Sequence, residues 1–186
     1  MPVCMAMGGL MTGKRTFWIL VLGMAWLGWN APSWAQYRGQ WATGFGLGLM
    51  EPTELDTPVG WSLGGNITYY LSHRWSIGIA AGMVRAGGDQ RELRETFLGL
   101  VYGLHFDIGR WHPFFELGVQ IYRVRVKPRR RAPVQEATEL GAFFGFGMEY
   151  FVSPTWSLRL VLEGHDVFTQ LDVSFVRLQT SFQAYF

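Results

Sequence analysis

The residues of this sequence that could do chemistry together lie in one stretch near its C-terminal end. Glu163, His165 and Asp166 fall within "EGHDVF", and Ser174 follows a further polar stretch. A serine nucleophile needs a base within hydrogen-bond reach, but a loop is predicted between His165 and Ser174. The other histidines are scattered and lack metal-ligand spacing: His73, His105 and His112. We therefore predict no catalytic residues, no metal site and no cofactor.

The segments that must position these residues alternate between bulky apolar residues and small or polar residues. This period of two is typical of β-strands. No segment carries a 3.6-residue amphipathic pattern or an 18-residue apolar run. The fold class predicted is all-β, an antiparallel up-and-down barrel of eight strands. The strands are predicted at 41–50, 60–71, 75–86, 95–106, 112–126, 138–152, 156–165 and 174–186.

The links between the predicted strands alternate between short and long. The short links are "SHR", "DIGRW" and "SPT", and the longer, polar links are "EPTELDTPV", "AGGDQREL", "KPRRRAPVQEAT" and "EGHDVFTQLD". Short turns at one end and longer loops at the other are typical of outer-membrane barrels, whose short turns are periplasmic. We therefore expect both termini at the periplasmic, short-turn end of a barrel in a Gram-negative type of outer membrane.

The two faces of each predicted strand differ in size. In strand 95–106 the bulky face carries Leu98 and Leu100, and the opposite face carries Gly99 and Gly103. In a soluble sandwich or lipocalin-like barrel the bulky face would point inward. A glycine face with a few charges makes a poor solvated surface but suits the crowded interior of a small barrel. We predict that the bulky residues face lipid.

A tryptophan follows each of the three short turns. These residues are Trp75, Trp111 and Trp156. Indole favours the membrane–water boundary, and transmembrane barrels carry aromatic girdles there. Ordinary core filling would not place a tryptophan at the same end of three hairpins. We predict that the three form an interfacial aromatic girdle.

Charged residues on the glycine-rich face are expected to pair, because an unpaired charge in a dry lumen is costly. The predicted neighbours are Glu149 with Arg159, Glu116 with His105, and Glu163 with Arg177. We expect a structural plug of ion pairs and hydrogen bonds. The alternative, a polar pathway or gated pore, is disfavoured because eight strands leave room only for side chains.

One predicted outward loop, "KPRRRAP", is strongly basic. Its cations are Lys127, Arg129, Arg130 and Arg131. A cluster of one sign gains from the field of an anionic membrane surface. We predict contact with lipopolysaccharide there, and the alternative is a solvated loop.

The first part of the sequence predicts a cleaved signal peptide over 1–35, with Met11 as an alternative start. A basic pair precedes an apolar run at 17–29 and the small-residue sequence "SWAQ". The alternative, a transmembrane anchor, needs about 20 apolar residues, and this run is shorter. The barrel domain is therefore predicted over 36–186.

Removal of this segment would leave a chain without net charge. The sequence has 16 Lys and Arg and 14 Asp and Glu, and loss of Lys14 and Arg15 leaves 14 of each sign. A neutral chain argues against nucleic acid as a partner. The single cysteine, Cys4, would also be lost, so no disulfide can stabilise the barrel.

The C-terminal segment "VRLQTSFQAYF", with Phe182 and a final Phe186, resembles the signal that outer-membrane barrels present to the barrel assembly machinery. The segment "YFVSPTWSLRLVLEGHDVF" resembles a hairpin of the outer membrane protein β-barrel domain family, the small OmpX- and OmpW-like barrels. The resemblance covers about 41–186 and implies a monomeric eight-stranded barrel surrounded by outer-membrane lipid. The family's lipid A deacylases carry His-x-Ser, whereas no serine lies two residues after His165.

The resemblance does not fix a function, because such barrels serve as adhesins, envelope anchors, narrow channels or enzymes. We expect a structural or surface-interaction role through the extracellular loops. The alternative is a narrow channel for small or hydrophobic solutes, and a lipid A-modifying enzyme ranks third. No peptidoglycan-binding domain follows the barrel, so envelope anchoring is not expected.

Overall fold

The computed structural model describes residues 38–53, 58–87, 91–128, 133–168 and 173–186. The predicted signal peptide, 1–35, lies outside the described residues. Within them, no helix is long and apolar enough to cross a membrane. The strands are β1 (Trp41–Pro52), β2 (Gly60–Tyr70), β3 (Trp75–Gly87), β4 (Arg91–His105), β5 (Trp111–Pro128), β6 (Gln135–Ser153), β7 (Trp156–Val167) and β8 (Val173–Tyr185).

The eight strands form a closed antiparallel barrel, as predicted, in which each strand pairs with the next and β8 pairs with β1. The seam between β1 and β8 runs from Ala42 opposite Tyr185 to Pro52 opposite Phe175. At its end, Trp41 and Phe186 each donate a backbone N–H to the carbonyl of the other at 2.9 Å. Closure leaves no unpaired sheet edge, which backbone groups in a bilayer cannot tolerate.

The two ends of the barrel differ in the links they carry. The turns after β2, β4 and β6 lie at one end together with the start of β1 and the end of β8, which we call the short-turn end. The links after β1, β3, β5 and β7 lie at the opposite end, the loop end. Between the strand bounds, the short-turn links span 4, 5 and 2 residues and the loop-end links span 7, 3, 6 and 5 residues. The predicted difference in length is therefore present only in part, because the strands take up residues of the predicted loops.

All strands except β2 extend further toward the loop end than the sequence analysis predicted. The extension is longest in β4, which begins at Arg91 rather than at 95, and in β6, which begins at Gln135 rather than at 138. The charges at Glu92 and Arg94 resemble a loop in the sequence. The inward position between them is the apolar residue Leu93, and this buried side chain holds the extension of β4 in the sheet.

The bulky apolar face points out of the barrel, as predicted. Leu100 is 54% exposed, whereas Glu149 is 0% and Arg159 is 6% exposed. A water-soluble barrel would show the reverse distribution. We call the exposed apolar band around the barrel the apolar belt. Its members include Phe45, Leu47, Ile67, Ile77, Ile79, Leu98, Leu100, Leu117, Val119, Phe144, Phe146, Leu158, Leu160 and Phe182.

The interior is narrow enough that glycines must face large side chains on neighbouring strands. A Cβ atom built on Gly82 would lie 2.5 Å from the Phe97 ring and 2.5 Å from the Leu63 carbonyl oxygen. Phe97 is the register partner of Gly82 on β4 and is buried. The glycine-rich face thus leaves the space in which the interior aromatic rings pack.

A charge in the apolar belt should destabilise the barrel far more than the same charge near the belt's edge. We expect Leu100→Arg to lower the free energy of unfolding by about 2–4 kcal/mol, because arginine at mid-membrane must leave water. Urea-induced unfolding of the protein in phospholipid vesicles measures this change.

The matched control is Thr96→Arg, which places the same side chain outward on the same strand near the loop end. We expect it to cost about 0–1 kcal/mol. Equal effects of the two substitutions would mean that the exterior does not contact lipid.

Candidate functional site

The side chains inside the barrel form two apolar clusters with charged residues between them. The short-turn cluster closes one end and contains Ala42, Tyr70, Phe151 and Tyr185. The loop-end cluster lies toward the other end and contains Met50, Val84, Ala86, Leu93, Phe97, Tyr122, Val124, Val126, Val167, Val173 and Phe175. Ion pairs in the middle of the interior are thus held between two water-excluding layers.

The ion pair nearer the short-turn end joins β7 to β5 across the lumen. Arg159 Nη2 donates to Glu116 Oε1 at 2.5 Å, and its guanidinium lies 4.0 Å above the centre of the Phe114 ring. Register alone would pair Arg159 with Glu149. The strand between β5 and β7 is β6, which carries Gly145 and Gly147 beside the ion pair. Without side chains at these positions, arginine reaches the carboxylate two strands away.

The other two residues predicted in this layer have different partners. Glu149 lies opposite Arg159 in register and accepts hydrogen bonds from the Ser157 and Tyr185 hydroxyls. Glu116, which was predicted to lie near His105, binds Arg159 and lies opposite Gly103, two residues before His105 on β4. The His105 Nε2 atom is hydrogen-bonded to the Ser76 hydroxyl at 2.9 Å.

The second ion pair joins neighbouring strands β7 and β8 nearer the loop end. Arg177 Nε donates to Glu163 Oε2 at 2.5 Å, and the two residues are register partners. The Arg177 guanidinium also lies 4.7 Å from the centre of the Phe97 ring. The structure therefore brings together the pair that the hairpin geometry indicated.

His165 extends this second pair into an aromatic environment. Its Nε2 atom lies 3.5 Å from Glu163 Oε2, and its Nδ1 atom is hydrogen-bonded to the Tyr122 hydroxyl at 2.8 Å. The imidazole stacks on Phe175, with ring centres 4.4 Å apart, and also on Phe143. His165 is thus an interior packing residue rather than the rim residue that its position in the sequence suggested.

Several interior polar residues were not identified from the sequence. Glu95 is buried, and neither of its carboxyl oxygens has a hydrogen-bond partner within the described ranges. Its spacing of two from Phe97 could have placed it on the inward face. Gln120 and Tyr122 are further buried polar residues that were not identified.

A cavity of about 40 Å³ separates the two ion pairs. It is lined by both arginines, both of their glutamates and Gln120, among other residues. Arg159 Nε, Arg177 Nη1 and both amide atoms of Gln120 have no protein partner among the residues that the structure describes. A polar space of this size holds a few water molecules.

The residues considered for catalysis do not form a site. His165 points into the barrel, whereas Asp166 and Ser174 lie opposite each other on the outer face and are joined by a 3.3 Å hydrogen bond. The sheet therefore separates the His165 imidazole from the Ser174 hydroxyl. In the described part of the chain, no group of three or more His, Cys, Asp or Glu residues is arranged to hold a metal ion.

The tryptophans after the short turns all lie on the outer face. Trp75, Trp111 and Trp156 are 40%, 43% and 44% exposed. Each contacts an aromatic ring of a neighbouring strand, and Trp41, which the sequence analysis did not include, does the same. The pairs are Trp75–Tyr102, Trp111–Tyr150, Trp156–Phe182 and Trp41–Tyr69, with ring centres 4.6 to 5.2 Å apart.

The remaining predicted residues lie at the two ends of the barrel. Phe182 and Phe186 point outward at the short-turn end, where Phe186 is 72% exposed. Lys127 is exposed on the outer face of β5 at the loop end. Arg129, Arg130 and Arg131 lie outside the described residues.

The closed sheet, the apolar exterior and the ion-paired interior define a small transmembrane β-barrel. Residues 19–186 match the sequence profile of the outer membrane protein beta-barrel domain. The chain belongs to this family and is an outer-membrane protein. No curated protein has a significant sequence match to it.

Solved structures that share the fold include three proteins with different names and roles. Neisserial surface protein A is 14% identical (TM-score 0.65), with 78% of this chain and 96% of that chain covered. The attachment invasion locus protein Ail of Yersinia pestis is 12% identical (TM-score 0.60; coverage 80% and 99%). The outer membrane enzyme PagL is 12% identical (TM-score 0.51; coverage 77% and 98%). At such identities these likenesses show the fold alone.

Loss of one member of the interior ion pair should cost far more than loss of both. We expect Arg177→Met to lower the free energy of unfolding by about 3–5 kcal/mol, because Glu163 then stays buried without its cation. Glu163→Gln combined with Arg177→Met should recover much of that loss. Urea-induced unfolding of the three proteins in vesicles provides the comparison.

An exterior pair supplies the control. Arg123 binds Glu136 at 2.5 Å with both side chains exposed, so Arg123→Met should cost about 0–1 kcal/mol. If the double variant were as unstable as the sum of its single variants, the two interior residues would not act as a pair.

Proposed function

We propose that this protein is a non-conducting outer-membrane barrel with a structural and surface-interaction role. The observation that carries the proposal is the filled interior, in which ion pairs lie between two apolar clusters. Passage of a solute would require both ion pairs to break and bulky rings such as Phe97 and Phe151 to move. With the lumen occupied, the loop end and the outer face are the surfaces left to bind partners.

We further propose that the short-turn end faces the periplasm and the loop end faces outward. The four tryptophan–aromatic pairs, which would lie at the periplasmic boundary of the bilayer, support this orientation. Both termini would then be periplasmic, with Phe182 and Phe186 available to the barrel assembly machinery. The closed sheet offers no edge for association, so we propose a monomer.

The loop end is proposed as the surface that meets lipopolysaccharide and extracellular partners. Lys127 lies there on the outer face, and the three arginines that follow it in the sequence would add to its charge. Loops positioned by a rigid scaffold commonly carry recognition.

A narrow channel is the second candidate function, and the central cavity favours it. Its unpartnered arginine and glutamine atoms form a polar space between the ion pairs. A channel would need this space to connect to both ends, and the two apolar clusters oppose that connection.

Conductance measurements distinguish a closed barrel from a channel. We expect the purified protein to produce no discrete current steps in planar lipid bilayers, because its interior is filled. A general porin inserted under the same conditions confirms that openings can be detected. Reproducible current steps from this protein would reject the closed-barrel proposal and favour the channel.

We propose that the protein is not an enzyme, because the sheet separates His165 from Ser174. Lipid A extracted from cells with and without the protein should have the same mass spectrum. Loss of an acyl chain only in cells that contain the protein would contradict this expectation. A Ser174→Ala variant, which cannot supply a hydroxyl nucleophile, would show whether that residue is responsible.

A further inference from the structure

The loop-end parts of β3, β4 and β5 carry a row of arginines on the outer face. Arg85 lies opposite Arg94, and Arg94 lies opposite Arg125. We call these three residues the arginine row. Since neighbouring strands lie about 4.8 Å apart, the row spans roughly 10 Å. Arg123 and Lys127 lie on the same face of β5, before and after Arg125.

The charge of this surface is only partly neutralised by the protein. Glu92 binds Arg85 at 2.9 Å and Arg94 at 2.8 Å, and Glu136 binds Arg123. Five cations against two acids leave three net positive charges. Within the described ranges, neither Arg125 nor Lys127 has an acidic partner. Like charges directly opposite each other destabilise a sheet, so an anion bound here would relieve a repulsion that the fold otherwise retains.

The arginine row is mounted on rigid strands. The inward neighbours of these cations, Val84, Leu93, Val124 and Val126, are buried in the loop-end cluster. The backbone that carries the cations is therefore fixed by the barrel interior. A binding site of this kind loses little freedom when its ligand arrives.

The surface next to the row is amphipathic. An open groove of about 670 Å³ is lined by apolar Leu49, Val59 and Trp61 and by charged Arg85, Glu92 and Lys127. The exterior at the loop ends of β1, β7 and β8 differs, because its described residues include no Lys or Arg. The positive charge is thus confined to one sector, just beyond the apolar belt.

We propose that the arginine row binds the phosphate groups of a glycolipid of the outer leaflet, such as lipopolysaccharide. Guanidinium groups match phosphate oxygens with paired hydrogen bonds, and the apolar wall of the groove suits the non-polar part of a lipid. A soluble anion would bind the cations but would make no contact with the apolar wall of the groove. The inference rests on the proposed outward orientation of the loop end and adds the residues and the ligand class to it.

The test compares lipopolysaccharide binding by two variants of equal charge. In one, Arg85, Arg94 and Arg125 are all replaced by glutamine. In the other, Arg38, Arg74 and Arg110 at the short-turn end are replaced by glutamine. With fluorescently labelled lipopolysaccharide added to the protein in uncharged detergent micelles, the first variant should bind roughly tenfold more weakly or worse. The second should bind as the wild type does.

The source of the phosphate is tested with three competitors. Unlabelled lipopolysaccharide should displace the label, whereas inorganic phosphate and lipopolysaccharide stripped of its phosphates should not. Equal weakening in both variants would overturn the proposal by showing a non-specific charge effect. Effective competition by inorganic phosphate would overturn the assignment to a lipid.

Folding and the proposed function are controlled separately. Circular dichroism of both variants should match that of the wild type. If the variant is unfolded, the conservative Arg125→Gln single variant, which removes an arginine without an acidic partner, takes its place and should still weaken binding. If the arginine-row variant binds lipopolysaccharide as the wild type does and the wild type produces no current steps, only the lipid site is rejected. If the wild type produces current steps, only the closed-barrel proposal is rejected.

Discussion

The rest of the structure depends on the need to pair every backbone N–H and carbonyl in surroundings without water. A sheet meets that need only by closing on itself, and here the closure is completed between Trp41 and Phe186. Once the sheet is closed, its two faces have different neighbours. The outer face contacts lipid and is apolar, and the inner face holds glycines, charged residues and the two apolar clusters. The inverted distribution of hydrophobic residues follows from the lipid surroundings, because a closed barrel in water has its bulky face inside.

The small circumference of eight strands then determines the interior. Space is so limited that glycines such as Gly82 must lie against rings such as Phe97. Charges placed in this space cannot reach bulk water, so each arginine is held by a glutamate and by an aromatic ring. The apolar clusters on both sides strengthen these pairs, because they lower the local dielectric constant. The same features that stabilise the barrel also obstruct it.

The strand number, the two faces and the Glu163–Arg177 pair could be predicted, because each depends on period two or on the position of a single link. The Glu116–Arg159 pair could not, because it crosses β6 at two glycines and skips a strand. The extended strands were missed for a different reason. In β4, the charges at Glu92 and Arg94 resemble a loop unless the buried residue between them, Leu93, is counted. Glu95 was missed because no partner in the sequence pointed to it.

The seam between β1 and β8 has a consequence for how the barrel assembles. Every other pairing joins consecutive strands, but this one joins residues separated by nearly the full length of the barrel domain. Contacts of such high sequence separation are slow to form, since a long loop must lose entropy first. Until the seam forms, β1 and β8 each present an unsatisfied edge. Zippering of this seam should therefore be the late, rate-limiting event in biogenesis, and an incomplete barrel would be open to pairing with a foreign strand.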